Sequence, residues 1–241
     1  MNKKFITILI ALIFMFSALS VSAVPISFED NSNYWPTWTN IEDDLIDCIG
    51  VPEFTGGIVD MDPNVLNYIE IAYNNYTNKF IFPGDLFLDI DNNGSWDYVV
   101  NTYGASTAGD YALLQLNTST LNYIFSNNIF SGMLPSSYRQ NHPVGLDLND
   151  TTNYTNIGNV SFSGWMQPPY PTSTFDFGSS GLALNGVGLT FGFTVSCAND
   201  VIYEQVEPVP EPSTWLMLIF GMLFLGITIK SRERFCKQTT K

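Results

Sequence analysis

Residues Gly181 to Cys197, GLALNGVGLTFGFTVSC, set Val187, Leu189, Phe191, Phe193 and Val195 at alternate positions. A side-chain period of two belongs to a strand and cannot form the apolar stripe of a helix. Asn185-Gly186 suits a two-residue hairpin turn, because both residues tolerate positive φ. In that register Leu184 pairs with Val187 and Leu182 with Leu189, so both apolar rows share one face. An isolated hairpin is barely stable in water, so this one demands more sheet to pack on.

The centre of the chain offers that sheet. A second hairpin is expected within GDLFLDIDNNGSWDYVV, Gly84 to Val100, with Leu86, Leu88 and Ile90 in one row and Trp96, Tyr98 and Val100 in the other. Tyr111 to Leu116 and Val160 to Trp165 add strand candidates. Around Asp62-Pro63 two readings stand open: Leu66, Ile69, Tyr73 and Tyr76 suit a helix capped by Asp62, whereas Val65, Ile69, Ile71 and Tyr73 at odd positions suit a strand. The expectation is one all-β exported domain over residues 24–206, sandwich-like or jelly-roll-like.

Charge is unevenly spread along the 241 residues. Between Val24 and Glu207 only Lys79 and Arg139 are basic, against 21 acidic residues, a net charge of −19. Such a surface repels nucleic acid and anionic lipid, leaving cations, neutral glycans and basic partners as ligands. The positive charge gathers at the ends. MNKKFITILIALIFMFSALSVSA has a lysine-bearing start, an apolar run from Phe5 to about Leu19, and small residues at Val21 and Ala23, which is the pattern of a signal peptide spanning residues 1–23. Export sorts the cysteines: Cys48 and Cys197 would reach an oxidising compartment, and Cys236 would not. A Cys48–Cys197 disulfide is one expectation and two buried thiols the other.

At the far end, Val209-Pro210-Glu211-Pro212 precedes an uncharged stretch, residues 214–229, and then the basic tail Lys230, Arg232 and Arg234. Sixteen helical residues span about 24 Å, a short transmembrane helix that Lys230 can extend by snorkelling and Trp215 can anchor. The positive-inside rule keeps the tail and residues 236–241 cytoplasmic. Residues 207–235 resemble the PEP-CTERM sorting signal of bacterial exported proteins in motif, helix, charge order and position. The resemblance implies recognition at Val209–Pro212 by exosortase, a membrane-embedded enzyme. It also implies passage through the inner membrane, removal of the helix, and delivery to the outer surface or extracellular polysaccharide of a Gram-negative-type cell. A second resemblance, of Gly84-Asp85-Leu86-Phe87 and Trp96-Asp97-Tyr98-Val99-Val100 to a stretch recurring in some exosortase-dependent surface proteins, carries no implied activity. Six Asn-x-Ser/Thr sequons would suit a eukaryotic ectodomain, but a chain rich in these residues produces them by chance.

Chemistry is best placed in the second hairpin. Asp89, Asp91, Asn93, Ser95 and Asp97 alternate along one short loop, with Gly94 at the sixth place, as a Ca²⁺ ion requires to gather oxygens from a sharp turn. The twelfth place is Val100, so the bidentate glutamate of a high-affinity loop is missing and a structural site with Kd on the order of 10⁻⁴–10⁻³ M is expected. The competing reading is an Asn-Gly loop whose aspartates only make Asx turns. Catalytic machinery is sparse: His142, the only histidine, is expected on a surface loop with Arg139, and no enzyme is expected. A glycoside-active carboxylate pair is the remaining enzymatic alternative. A calcium-stabilised module binding extracellular polysaccharide is another, if Tyr34, Trp35, Trp38 and the aromatics of Trp165 to Tyr170 lie exposed, although tryptophan is more often buried.

Overall fold

The computed structural model describes residues 25–32, 35, 52–62, 64–74, 81–105, 107–126, 138–165, 172–178, 181–207 and 220–222. The chain divides into two compact units, Val24–Pro208 and a second made of Met1–Ala23 with Val209–Lys241. Only Phe220–Met222 of the second are described, and they are helical. Residues 1–23, the motif at Val209–Pro212, Lys230, Arg232, Arg234 and Cys48 lie outside the described residues, as does most of the expected membrane helix. Among the described residues no helix is long and apolar enough to cross a membrane.

The first unit is all-β, as the alternating apolar pattern requires. Its strands are β1 (Ile26–Phe28), β2 (Glu53–Asp62), β3 (Val65–Asn74), β4 (Leu86–Asp89), β5 (Tyr98–Val100), β6 (Gly109–Leu116), β7 (Tyr123–Phe125), β8 (Pro143–Leu146), β9 (Tyr154–Ser163), β10 (Thr172–Asp176), β11 (Leu182–Ala183), β12 (Leu189–Thr194) and β13 (Val201–Val206). Ten of them form one path, β1-β2-β3-β10-β9-β6-β5-β4-β12-β13, with β11 joined to β3 and a separate β7–β8 ribbon. Every pairing is antiparallel. The path curls until its ends approach, where Ser32 Oγ donates to Tyr203 O at 2.7 Å and the Phe54 amide donates to the Asp200 carboxylate. The result is a nearly closed sheet.

Two apolar clusters fill it. The larger takes one face of the main sheet, including Ile69 and Ile71 of β3, Phe162 of β9, Phe175 of β10, and Phe191 and Phe193 of β12. Its rings interlock: Phe162 and Phe175 centroids are 4.8 Å apart, and Phe175 stands edge-on to Phe193 at 5.4 Å. On the opposite face of β4, β5 and β6, Phe87, Val99 and Leu114 meet Trp35, Leu146 of β8 and Val201. Strands β4 and β12 are therefore buried along their whole lengths. Each such Leu or Phe contributes roughly 1.5–3 kcal/mol of transfer free energy.

The hairpin at residues 86–100 forms as expected, pairing Leu86 with Val100 and Leu88 with Tyr98. Trp96 leaves the expected row: it packs in the second cluster, 5.8 Å from Trp35 and 5.7 Å from Phe87. The open reading near Asp62 resolves as strand, since Asp62 pairs with Val65 across a tight β2–β3 turn. The hairpin expected at Asn185-Gly186 does not form. Leu182 pairs instead with Leu66 of β3, and Leu189 pairs with Val206 of β13. Residues 184–188 thus cross from one side of the sheet to the other and leave Val187 exposed. Period-two alternation fixed the strand but said nothing of its neighbour, and the tighter burial between β4 and β13 won.

Candidate metal centre

Strand β4 delivers Asp89 to the end of the core, where it is buried at 2 % exposure. The chain then has eight residues in which to turn and re-enter as β5. Asp89 organises that turn itself: Oδ1 accepts the amides of Asp91 (3.3 Å) and Asn93 (3.2 Å), and Oδ2 accepts the amide of Gly94 (2.8 Å). Asp91 Oδ1 accepts from the Asn93 amide and Asn93 Oδ1 from the Ser95 amide, two further Asx turns. Asp97 Oδ2 accepts from the Ile90 amide at 2.9 Å and closes the loop. Two residues take positive φ, Asn92 at 53° and Gly94 at 85°, a conformation glycine and asparagine adopt at least cost.

This geometry brings carboxylate oxygens of Asp89, Asp91 and Asp97 within 4.8 Å of one another. Three like charges at that separation repel, each pair by about 1 kcal/mol in bulk water and more in a partly buried loop. Burial first, then the charges of Asp91 and Asp89, push the Asp97 carboxyl above its ordinary value. Backbone amides offset part of the repulsion but add no full positive charge. Among the described residues the one basic side chain is Arg139. An ionised carboxylate offers about four lone-pair directions, so acceptor capacity remains at Asp91 and Asp97. Oxygen donors of this hardness and density suit Ca²⁺ better than a transition metal. Asn93 and Ser95 are on the same loop, their side chain and amide joined to each other.

The sequence reading missed two supports. Asn92 ties the loop to the β11–β12 crossing, donating to Val187 O at 3.2 Å and accepting from Thr190 Oγ1 at 2.7 Å. Its type, asparagine before an Asn-Gly pair, was the available signal. The second is Asp85, fully buried four residues before the loop. It accepts from the amides of Leu146 and Tyr103 at 2.7 Å each and from Asn101 Nδ2, linking β4 to β8 and to the turn after β5. Desolvation pushes its carboxyl up to about 6 despite those donors.

Other expected positions are placed differently. His142 is not on the surface: it is buried at 1 % exposure, with Nδ1 2.8 Å from Gln140 O, and Arg139 is buried beside it in sequence. The β7–β8 ribbon explains this, since it folds residues 138–146 onto the sheet. Trp35 and Trp165 are buried too, each at 2 %, while Tyr34, Trp38 and residues 166–170 lie outside the described residues. Cys197 is buried with Sγ 2.9 Å from Asn199 Oδ1. Comparison of the chain with protein-family models, curated proteins and solved structures finds no match.

Proposed function

We propose that this chain is an exported, non-catalytic surface or matrix protein: a sandwich-like β domain delivered through a PEP-CTERM-type signal and stiffened by a weakly held calcium ion. The observation that carries the calcium reading is the convergence of Asp89, Asp91 and Asp97 on a loop already shaped by Asx turns. Asn93 and Ser95 complete the donor set, and the missing twelfth-place acid keeps the affinity low. The sorting reading rests on Val209–Pro212, the apolar stretch 214–229 and the basic residues after it. Exosortase and the inner membrane are then its transient partners, and envelope polysaccharide its surroundings.

Each half has its own test. Tb³⁺ binds calcium sites and is excited through a nearby indole, and Trp96 sits between two loop residues. Sensitised emission that Ca²⁺ displaces and Asp91→Ala abolishes is the expected result, and emission unchanged by the variant would refute the site. For sorting, deleting exosortase in the native cell should leave the chain uncleaved in the membrane. Unaltered mass and surface delivery in that strain would sink the assignment.

A further inference from the structure

The two ends of the ten-strand path face each other without completing the sheet. A groove of about 530 Å³ separates them, lined on one side by Ile26 to Glu29 with Asn31 and on the other by Glu204 to Glu207. The pairing sequence fixes the relative direction of its walls. Nine successive antiparallel pairings make β1 and β13 antiparallel to each other. One end is fastened, by Ser32 Oγ to Tyr203 O and by the Asn31 amide to the Glu204 carboxylate. Beyond it, among the described residues, each strand has a sheet partner on one side only.

An edge of this kind offers unpaired backbone donors and acceptors, the template on which extended peptides add as strands. Its floor is apolar: Ile26 and Phe28 pack on the main cluster, Val206 is part of it, and Phe28 stands edge-on to Phe191 at 5.2 Å. Its rims are acidic. Among the described residues the lining carries Glu29, Glu204 and Glu207 and no basic side chain. Glu29 and Glu207 alternate with the core-facing Phe28 and Val206, whereas Glu204, opposite Phe191, is on the core-facing side. Burial raises the Glu204 carboxyl above its usual value, so this charge is already partly removed from water. Four residues on each wall span about 13 Å at strand rise, the length of a four-residue extended segment.

We propose that the β1–β13 seam is a docking groove for an extended segment of a partner protein carrying alternate Lys or Arg residues. The partner's backbone adds to the open edges, its apolar side chains rest on Ile26, Phe28 and Val206, and its cations, on the other face, meet Glu29 and Glu207. A second copy of the chain fits poorly, since it would bring an equally acidic seam. The calcium reading is independent of this groove and either can fail alone.

The test uses the full chain in a non-ionic detergent with three acetylated, amidated hexapeptides as probes: Lys-Val-Lys-Val-Lys-Val, its Glu-Val counterpart, and Lys-Pro-Lys-Pro-Lys-Pro. The first should bind by calorimetry and slow amide exchange in residues 26–29 and 201–207. The second should not bind. The third has the same charge as the first but no proline amide hydrogens, and should bind at least tenfold more weakly. Glu29→Gln with Glu207→Gln should weaken the first peptide at least tenfold while the Tb³⁺ signal stays unchanged. Equal binding of the two lysine peptides would show charge attraction alone and overturn the proposal. So would protection elsewhere on the domain, or a stable dimer that masks the seam without any peptide. Absence of binding by the first peptide would leave the glutamates as guards against edge pairing and also refute it.

Discussion

Asp89 accepts three backbone amides, so it serves the turn and the charge cluster at once. Asp89→Ala should therefore damage the loop itself, whereas Asp91→Ala removes a donor and only one Asx turn. At a Ca²⁺ concentration ten- to a hundredfold above Kd, mass action adds about 1.4–2.7 kcal/mol of stability. Thermal melts with EDTA and with millimolar Ca²⁺ should show that increment in the wild type and lose it in Asp91→Ala. Asp85 predicts a pH dependence of opposite origin. Its folded-state value of about 6 lies above the ordinary 3.8, so its contribution to stability is fully present below the lower value and lost as pH rises through the upper. A shift of that size corresponds to at most about 3 kcal/mol. Wild-type stability relative to Asp85→Asn should fall by up to that amount between about pH 4 and pH 7, read by urea unfolding at each pH. A constant difference would mean that the surrounding amides compensate the charge fully.

At the scale of elements, the approach to β4 leaves no room for a side chain. A Cβ on Gly84 would lie 2.5 Å from Val144 O and 2.7 Å from Thr194 O, both backbone atoms that cannot step aside. Gly84→Ala should cost about 1–3 kcal/mol, typical of overpacking, measurable as a lower urea midpoint with the slope unchanged. The same segment shows how far sequence reading reaches. Leu86, Leu88, Tyr98 and Val100 were legible because a short loop and alternation determine both strands and their register. So was the gathering of Asp89, Asp91 and Asp97 in one short loop, since the spacing of oxygen-bearing side chains is a local property. Leu182 and Leu189 were not, because nothing local says that β11 pairs with a strand more than a hundred residues earlier. Trp96 broke its row for a similar reason: Trp35 and Tyr123, distant in sequence, draw it to the other face. His142 escaped because burial of a short ribbon leaves no periodic trace.

On the scale of the whole molecule, the β domain is governed by the strands that come last in it. Strand β12 sits between β4 and β13 and puts Phe191 and Phe193 at the centre of the main core. Phe193→Ala should cost about 3–5 kcal/mol, more than a ring at an edge such as Phe28, and paired unfolding curves of the two variants would check the order. Position in the chain adds a temporal side. Residues 189–206 must find partners near residue 88, so loop closure precedes any reward and folding is slow. Until the β12–β13 hairpin emerges from the ribosome, the main core lacks Phe191 and Phe193. Under the export route we propose, in which the chain crosses a translocation pore before it folds, late synthesis of β12 would work as a built-in timer against premature folding.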